Sequence, residues 1–395
     1  MSAALRRGAE VLVASEGRHS LVAAYAQGLH IDFSQPDAAL RRILEAAERA
    51  PFAGVLGLDD ASLELAARAC RALGLPHNPP EAARLARRKD LARARLAAAG
   101  VRIPPHRVVD LTRPLVPQAA DFPFPAVIKP VAMSGSRGVM RVDTPAALEH
   151  AGARLRAIVR EAACAHERAT ALLERFVPGV EVALEGLLED GELRVLAVFD
   201  KPDPLDGPFF EETYYVTPSR HPIGVQQAVA AEVARACAAY GLRHGPVHAE
   251  CRVNDEGVWL LEVAARTIGG LCGRLLRWGT GMELEDLVLG QLLGSAPESA
   301  PPQGGAGVLM LPTPRAGVLR RVSGVLAALK IPYVEDVVIE VREGYTLTPL
   351  PEGASYLGFV FARAPSAAEA EAALRAAQAV LHIEVAPLFP VASRA

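Results

Sequence analysis

The chain has 395 residues, of which 51% are apolar and 5% aromatic, and it carries a formal net charge of −3. This length allows two to four domains with complete hydrophobic cores, and the near-neutral charge gives no reason to expect a nucleic acid as a partner. Five scattered cysteines argue against a disulfide framework or a structural zinc site. No stretch reaches the roughly 18 uninterrupted apolar residues of a membrane helix, so we expect a soluble, cytoplasmic protein without a membrane partner.

The first part of the chain alternates between strand-like apolar runs and helical patterns, which predicts an open α/β domain with a parallel sheet. The predicted strands are 9–14, 30–33 and 54–59, and the predicted helices are 20–29, 38–49 and 61–73. The first turn between a strand and a helix lacks the pattern G-x-G-x-x-G, so it supports no dinucleotide site.

A proline-rich break precedes a helix that is predicted over about 81–99 and that carries Lys89. Gly100 and the residues after it end this helix and begin a strand. Several arginines share the helix with Lys89. When this lysine is considered alone, one more solvated cation is the simpler interpretation.

A short strand over 124–130 ends in Lys129 and leads into a loop rich in small residues, namely Ser134, Gly135, Ser136 and Gly138. Glycine and serine let backbone N–H groups approach phosphate oxygens, and the lysine adds a point charge. The order of a Walker A loop is absent. The pattern favours a phosphate-binding loop, with a flexible hairpin as the alternative.

Strands predicted at 171–187 and 193–199 continue as a meander, with Glu174 and Glu181 on either side of a Pro-Gly turn. Residues 200–219 are predicted to form a long irregular loop that concentrates aromatic and charged side chains, including Lys201 and Glu212. Such a loop is either a binding surface or a structural excursion. A long helix is predicted at 223–240.

Residues 245–263 read as two strands joined by a tight turn at 254–257. Glu250 and Glu262 are an even number of positions apart, so they share one face if the loop is odd, for example three residues closed by Gly257 in a bulge. With Arg266 they would form a site for a divalent metal and phosphate. The alternative is a pair of solvated glutamates.

A helix at 283–293 and a linker with Pro297, Pro301, Pro302, Gly304 and Gly305 precede the last unit. Predicted strands at 307–311, 317–322, 337–341, 357–362 and 382–385, with a helix at 366–381, indicate a small α+β domain. No catalytic constellation is visible in it.

The order of these motifs resembles that of the ATP-grasp ligases over about residues 5–300. Within that superfamily the chain is most similar to the L-amino-acid ligases, which condense two unprotected amino acids to a dipeptide. Residues 262–266, the loop at 200–219 and the shape of the C-terminal unit carry the narrower resemblance. It implies an ATP-grasp fold with an N-terminal parallel α/β domain at 1–85, an ATP-grasp domain at 86–300 with a mobile lid at about 122–180, and a C-terminal α+β domain at 301–395.

The resemblance also implies the role of each residue in the motifs. Lys89 and Lys129 would contact the ATP phosphates, and the loop residues Ser134, Gly135, Ser136 and Gly138 would close over them. At the nucleoside, the adenine would lie against Glu174, Phe176 and Val177, and the ribose would donate hydrogen bonds to Glu181. Two Mg²⁺ or Mn²⁺ ions would be held by Glu250 and Glu262, and Arg266 would stabilise the transferring phosphoryl group or the acyl intermediate.

One departure from the superfamily pattern concerns the metal site. Ala264 stands where many ATP-grasp enzymes have a metal-binding asparagine. We expect the absence of bulky side chains at Gly269 and Gly270 to leave room for a first substrate larger than alanine or glycine. Glu212 is a candidate for recognising a substrate amino group, and His248 either orients Glu250 or is a satisfied polar residue.

The function that the resemblance implies is an ADP-forming ligase that joins L-amino acids through an acyl phosphate and works as a homodimer. One alternative is a ligase or carboxylase that acts on another acid, like biotin carboxylase or glycinamide ribonucleotide synthetase. The absence of an M-K-M biotin-attachment motif weakens the carboxylase. The other alternative is a nucleotide-binding regulator without turnover.

Overall fold

The computed structural model describes residues 1–16, 26–295 and 304–388. The helices of this part are α1 Ser2–Arg6, α2 Pro36–Arg49, α3 Leu63–Leu73, α4 Pro80–Arg87, α5 Lys89–Ala98, α6 Leu115–Gln118, α7 Pro145–Val159, α8 Ala165–Ala169, α9 Ile223–Tyr240, α10 Arg274–Thr280, α11 Leu284–Leu292, α12 Val325–Ala328 and α13 Ala367–Val380. None of these described helices combines the length and the apolar character needed to cross a membrane.

The strands of the described part form four sheets. They are β1 Leu12–Ser15, β2 Gln27–His30, β3 His106–Asp110, β4 Ala126–Pro130, β5 Met140–Val142, β6 Thr170–Arg175, β7 Val180–Glu189, β8 Glu192–Lys201, β9 Tyr214–Thr217, β10 Gly245–Asn254, β11 Gly257–Ala264, β12 Gly305–Leu311, β13 Gly317–Ser323, β14 Val334–Ile339, β15 Thr346–Leu347, β16 Gly358–Ala364 and β17 His382–Ala386.

The N-terminal unit has the expected parallel strands, since β1 and β2 pair in parallel with Leu12 opposite Gln27. Three predictions are wrong here. Residues 27–30 form β2 rather than the end of a helix, and the part of that predicted helix at 20–25 lies outside the described residues. The strand predicted at 30–33 shares only His30 with β2. Residues 54–59 form no strand. They pack against helices instead, since a Cβ added at Gly54 would lie 2.6 Å from Cγ of Leu292 on α11, and they lead directly to Asp60.

The single helix predicted over about 81–99 is two helices, α4 and α5, with a break at Arg88. The Arg88 backbone is extended, at φ −100° and ψ 96°, and the Lys89 N–H donates to the carbonyl of Val131 at 2.8 Å. The break makes Lys89 the first residue of α5. Its side chain is buried rather than solvated, so the simpler interpretation of this lysine is wrong.

A four-stranded antiparallel sheet with the order β3-β6-β4-β5 lies against α7. Thr144 caps the start of α7 by accepting the N–H of Ala147 at 3.2 Å. The helix and the sheet share a buried core that includes Ile128, Leu148 and Leu173. The predicted strand at 124–130 is confirmed within two residues.

The central sheet has eight strands in the order β11-β10-β7-β8-β9-β12-β16-β14. Strand β9 lies within the stretch predicted as an irregular loop at 200–219, so that prediction is wrong in part. Because β9 pairs with β12, strands from the C-terminal unit continue the sheet that carries the hairpin β10–β11. Apolar clusters cover both faces of this sheet, which fixes the hairpin against a rigid background.

The remaining C-terminal elements form a three-stranded sheet, β15-β13-β17, and the helix α13. The predicted strands and helix of this unit are confirmed within a few residues. Of the predicted linker, Pro297, Pro301 and Pro302 lie outside the described residues, and Gly305 begins β12. The segment before β16 reaches the small-residue loop, where the Gly138 N–H donates to the carbonyl of Pro351 at 2.8 Å.

Candidate active site

A cavity of about 890 Å³ lies between the four-stranded sheet and the central sheet. Residues from several parts of the chain line it: 58–61, the start of α5, the small-residue loop after β4, the segments 174–181 and 210–215, the hairpin β10–β11 with the residues after it, and the C-terminal unit. Apart from Gly138, every candidate residue identified from the sequence lines it: Lys89, Lys129, Ser134, Gly135, Ser136, Glu174, Phe176, Val177, Glu181, Glu212, His248, Glu250, Glu262, Arg266, Gly269 and Gly270.

Glu250 and Glu262 are direct cross-strand partners in the hairpin, so their side chains project from the same face. The ladder closes over a two-residue turn, with Asn254 opposite Gly257, and the register shifts by one residue next to Glu250. The prediction of a shared face is therefore confirmed. The two glutamates share it because of a bulge that leaves Leu261 as the extra residue on β11, and not because of a three-residue loop.

The two lysines of the candidate nucleotide site are buried and already paired. Lys89 Nζ donates to the Met133 carbonyl at 2.7 Å and to Glu262 Oε1 at 3.2 Å. Lys129 Nζ lies 2.6 Å from Glu174 Oε2. Burial lowers the pKa of Lys129, and the Glu174 carboxylate opposes that shift. Both ammonium groups thus border the cavity, and each is held in place by a carboxylate. This arrangement is suited to binding phosphate oxygens.

Glu174 does more than the adenine contact expected of it. Its other oxygen, Oε1, accepts from Nε of Arg93 at 2.5 Å, so the buried carboxylate lies between two cations. Burial alone would raise its pKa, but Arg93 and Lys129 outweigh that effect and lower it from 4.5 to about 2. The side chain of Glu174 therefore positions Lys129.

The low pKa of Glu174 predicts a specific acid sensitivity. A folded-state pKa below the unfolded value stabilises the fold above pH 4.5, and this contribution is lost as the pH falls toward 2. Between pH 5 and pH 3 the loss is about 2 kcal/mol. Urea unfolding of the wild type and of Glu174→Gln at both pH values should show this difference in the pH dependence of the free energy of unfolding. Equal acid slopes for the two proteins would contradict the assignment.

The small-residue loop uses left-handed backbone at Gly135, Ser136 and Gly138, with φ of 62°, 55° and 76°. A positive φ at Ser136 is uncommon for a residue with a Cβ, and such conformations concentrate at functional loops. Gly138 has a different role from its three neighbours. Its N–H is bonded to the C-terminal unit, and a Cβ there would lie 2.9 Å from Leu155. It serves close packing rather than the cavity.

Aromatic and cationic side chains flank the expected adenine region. Phe176 stacks on Phe210 with ring centroids 6.4 Å apart, and the Arg252 guanidinium lies 4.9 Å from the centroid of Phe176. Arg252 Nε also donates to Glu181 Oε2 at 3.1 Å, and its Nη1 donates to the Val177 carbonyl at 2.8 Å. Arg252 thus fixes both the Val177 backbone and the Glu181 side chain, a role that the sequence did not reveal.

Lys201 lies at the centre of three carboxylates and is only 2% exposed. Its Nζ is 2.8 Å from Glu181 Oε1 and 2.9 Å from Glu250 Oε1, and it also pairs with Glu212. The Tyr215 hydroxyl donates to Glu212 Oε1 at 2.9 Å. Burial raises the pKa of Glu212, whereas at Glu250 the nearby Lys201 outweighs burial and holds the pKa well below its usual range. Glu181, Glu250 and Glu212, the candidates for binding the ribose, the metal and the substrate, are therefore all paired with the same buried ammonium group, that of Lys201.

His248 joins the hairpin to a fully buried carboxylate on β7. Its Nδ1 is 3.2 Å from Glu185 Oε2, and its Nε2 is 3.8 Å from Glu250 Oε1. Burial lowers the pKa of His248, but the nearby carboxylates of Glu185 and Glu250 outweigh this and raise it to about 9. Glu185 also accepts the N–H of Ile268 at 3.1 Å. The geometry favours the orienting role for His248.

Arg266 faces the cavity with its guanidinium clamped by a residue of the N-terminal unit. Its Nε and Nη2 each lie 2.9 Å from an oxygen of Asp60, and Nη1 donates to the Thr267 carbonyl at 3.0 Å. This fork-to-fork contact fixes the plane of the guanidinium. Asp60 has no sequence signal of its own, because it lies 206 positions before Arg266.

Gly269 and Gly270 line one end of the cavity beside Cys272, Met310 and Phe359. A Cβ added at Gly269 would meet nothing within 4 Å, whereas one at Gly270 would lie 3.1 Å from the Phe359 ring, and Gly270 also has a left-handed φ of 62°. The open space therefore lies at Gly269, while Gly270 allows close approach of the aromatic wall.

Two carboxylates of the cavity are suited to a hard divalent cation, because Glu262 stands opposite Glu250. Glu181, Glu212 and Glu250 also place one oxygen each within 4.8 Å of one another, but there the Lys201 ammonium already contacts all three carboxylates. Mg²⁺ prefers oxygen ligands and is commonly bound by one or two carboxylates together with substrate phosphates. Ala264, which pairs with His248 in the ladder, offers no ligand atom there.

Three family profiles match the chain in order. They are the ATP-grasp N-terminal domain over residues 1–77, the ATP-grasp domain over 122–274 and the L-amino acid ligase C-terminal domain 2 over 309–386. The structure is similar to that of an L-amino acid ligase from Bacillus licheniformis, with a TM-score of 0.86 and 27% identity over 98% of this chain and 95% of that one.

Two curated relatives are also similar in sequence. Carnosine synthase 1 of Gallus gallus is 32% identical over 291 residues, which are 69% of this chain and 30% of that protein. Alanine–anticapsin ligase of Bacillus subtilis is 26% identical over 220 residues, 51% of this chain and 46% of that protein. The aligned regions thus span less than half the length of either relative.

The chain belongs to the ATP-grasp superfamily of ligases. Within it, the chain is most like the L-amino-acid ligases, as the C-terminal profile and the full-length structural match indicate. The expected ATP-grasp fold, with its N-terminal α/β and C-terminal α+β parts, is thereby confirmed.

Proposed function

We propose that this protein is an ADP-forming ligase that joins two amino acids through an amide bond. The observation that carries the proposal is the convergence of two buried lysines, two cross-strand glutamates and one arginine on a single cavity. The names of the relatives, which include carnosine synthase and an L-amino acid ligase, support an amino acid as substrate.

The first proposed step activates the carboxylate of the first substrate. A carboxylate oxygen attacks the γ-phosphorus of ATP, the bond to the β-phosphate oxygen breaks, and ADP leaves behind an acyl phosphate. Negative charge spreads over the phosphoryl oxygens during this transfer, and fixed cations stabilise it. Lys89, Lys129 and Arg266 border the cavity in positions suited to that task.

The second proposed step forms the amide. The amine of the second substrate attacks the acyl carbon and loses a proton, and inorganic phosphate leaves. The loop at 134–138 is bonded to the C-terminal unit and covers one side of the cavity. A closed site of this kind protects an acyl phosphate from water.

Glu250 and Glu262 are the residues proposed to hold Mg²⁺ or Mn²⁺. A bound divalent ion would neutralise phosphate charge and polarise the phosphoryl group. His248 and Lys201 keep the Glu250 carboxylate ionised and oriented. The binding of two ions is a prediction. The number of Mn²⁺ ions bound per protein at saturating ADP tests it.

Glu212 is proposed to receive the amino group of the first substrate. Its carboxylate lines the cavity and is held by Lys201 and the Tyr215 hydroxyl. The cavity end near Phe359 and Met310 is apolar, which suits an aliphatic or aromatic side chain on the same substrate.

Gly270→Trp is expected to exclude bulky first substrates. The new side chain must displace Phe359 or fill the apolar end, because even a Cβ would lie 3.1 Å from that ring. The kcat/KM for leucine or phenylalanine as first substrate should fall by about tenfold or more relative to alanine. Gly224→Ala is the control, since Gly224 lies on α9 outside the cavity lining and its added Cβ would meet nothing within 4 Å. Unchanged preference in the tryptophan variant would contradict the assignment of this end.

Phosphate release from ATP tests the proposal against its alternatives. The wild type is incubated with ATP, Mg²⁺ and pairs from a panel of amino acids, and products are identified by mass spectrometry. Dipeptide formed in equal amount to ADP supports the proposal. ADP formed only with bicarbonate or another acid favours a different ATP-grasp reaction, and nucleotide binding without ADP under any condition favours a regulator.

A further inference from the structure

Arg93 is among the largest side chains that the described residues bury completely, and it is only 1% exposed. It lies on α5, one helical turn after Lys89. A buried guanidinium is costly unless its N–H groups find acceptors. The groups that accept hydrogen bonds from Arg93 therefore indicate its role.

One edge of the Arg93 guanidinium faces the nucleotide side of the site. Nε donates to Glu174 Oε1 at 2.5 Å, and the second oxygen of Glu174 lies 2.6 Å from Lys129 Nζ. Glu174 cannot rotate toward another partner without breaking both contacts. The position of the Lys129 ammonium is therefore coupled to Arg93 through one carboxylate.

The other edge of the guanidinium faces the hairpin. Nη2 donates to the carbonyl of Leu261 at 2.5 Å, and Leu261 is the residue that the bulge adds to β11. A bulged residue loses its ladder partner, so its backbone groups need donors and acceptors from elsewhere. Arg93 supplies a donor to Leu261, next to Glu262, and loss of the bulge there would turn Glu262 away from Glu250.

We propose that Arg93 is a positioning residue that holds Lys129 and the Glu250–Glu262 pair in fixed relation to each other. The inference rests on the proposed function, since it assigns these groups to ATP phosphates and a metal ion. The guanidinium is suited to the task because its planar fork presents donors in two directions. A lysine at this position is a point charge and satisfies Glu174 or Leu261, but not both.

Mn²⁺ binding in the presence of ADP tests this role without turnover. Arg93→Met is expected to weaken Mn²⁺ binding by about tenfold or more, the usual effect of removing a residue that orients metal ligands. Arg93→Lys keeps a positive charge beside Glu174, so it should fold and still weaken Mn²⁺ binding. Both variants should also raise the KM for ATP.

Leu96→Ala is the matched control for a loss of stability. Leu96 is fully buried on the same helix and belongs to the hydrophobic core, so its truncation lowers Tm without touching Glu174 or Leu261. Mn²⁺ affinity should stay within about twofold of the wild type in this control.

Two results would overturn the role of Arg93. One is a folded Arg93→Lys variant with the Mn²⁺ affinity and the KM for ATP of the wild type. The other is a Leu96→Ala variant that loses Mn²⁺ affinity as strongly as the Arg93 variants, which would make the effect one of stability. Turnover by the wild type is measured separately. A wild type that binds Mn²⁺ and ADP but joins no amino acids would overturn the proposed function. The comparison of Mn²⁺ affinity between the wild type, the Arg93 variants and Leu96→Ala would still test the role of Arg93.

Discussion

Replacing Glu250 with glutamine is expected to lower kcat for ADP formation by about 1,000-fold. The substitution keeps the size of the side chain but removes the charge that faces Glu262 across the hairpin. It also leaves the Lys201 ammonium and His248 without one of their carboxylate partners. Steady-state kinetics with saturating amino acids and varied Mg²⁺ measure the effect, which additional Mg²⁺ should relieve only in part.

Glu256→Gln is the control for this experiment. Glu256 lies in the turn of the same hairpin, where its side chain is 62% exposed and its closest basic partner, Arg175, is 3.9 Å away. An exposed pair of this kind contributes little to stability, so kcat should be unchanged. A Glu250→Gln enzyme that keeps kcat within tenfold of the wild type would remove Glu250 from the metal site.

Arg266→Met is expected to lower kcat for phosphoryl transfer by about 1,000-fold, with a smaller change in KM for ATP. The guanidinium is held in one plane by both oxygens of Asp60, so it meets developing charge without reorganisation. Arg266→Lys should restore only part of the loss, because an ammonium cannot make the fork-to-fork contact. Pre-steady-state measurement of ADP formation isolates this step.

Arg274→Met provides the comparison for Arg266. Arg274 pairs with Asp336 at 2.9 Å in a half-exposed contact just beyond the cavity-lining segment, so its loss should leave kcat unchanged. If the two methionine variants lose the same amount of activity, the effect of Arg266 lies in folding rather than in phosphoryl transfer.

The charged groups of the site are brought together by contacts between distant parts of the chain. Lys89 reaches Glu262 across 173 positions, and Arg266 reaches Asp60 across 206. The N-terminal unit, the helix α5 and the hairpin therefore contribute charged groups to one cavity. Separation of any one unit would leave buried charges without partners, which is costly.

Much of the fold follows from local patterns in the sequence. The helix Ile223–Tyr240 and the strands of the C-terminal unit were predicted within a few residues, because periodicity and turn residues act over short distances. The order of the motifs was sufficient to identify the superfamily. Every candidate site residue except Gly138 lines the cavity, since strand ends and turns place polar side chains where sheets face each other.

Tertiary structure decided the features that no local pattern encodes. The break at Arg88, the packed course of residues 54–59 and the clamp on Arg266 each depend on a partner far along the chain. The parity of Glu250 and Glu262 allowed a shared face only with an odd loop or a bulge. The sequence alone left open which device is used, because the bulge at Leu261 is held by Arg93 from another helix.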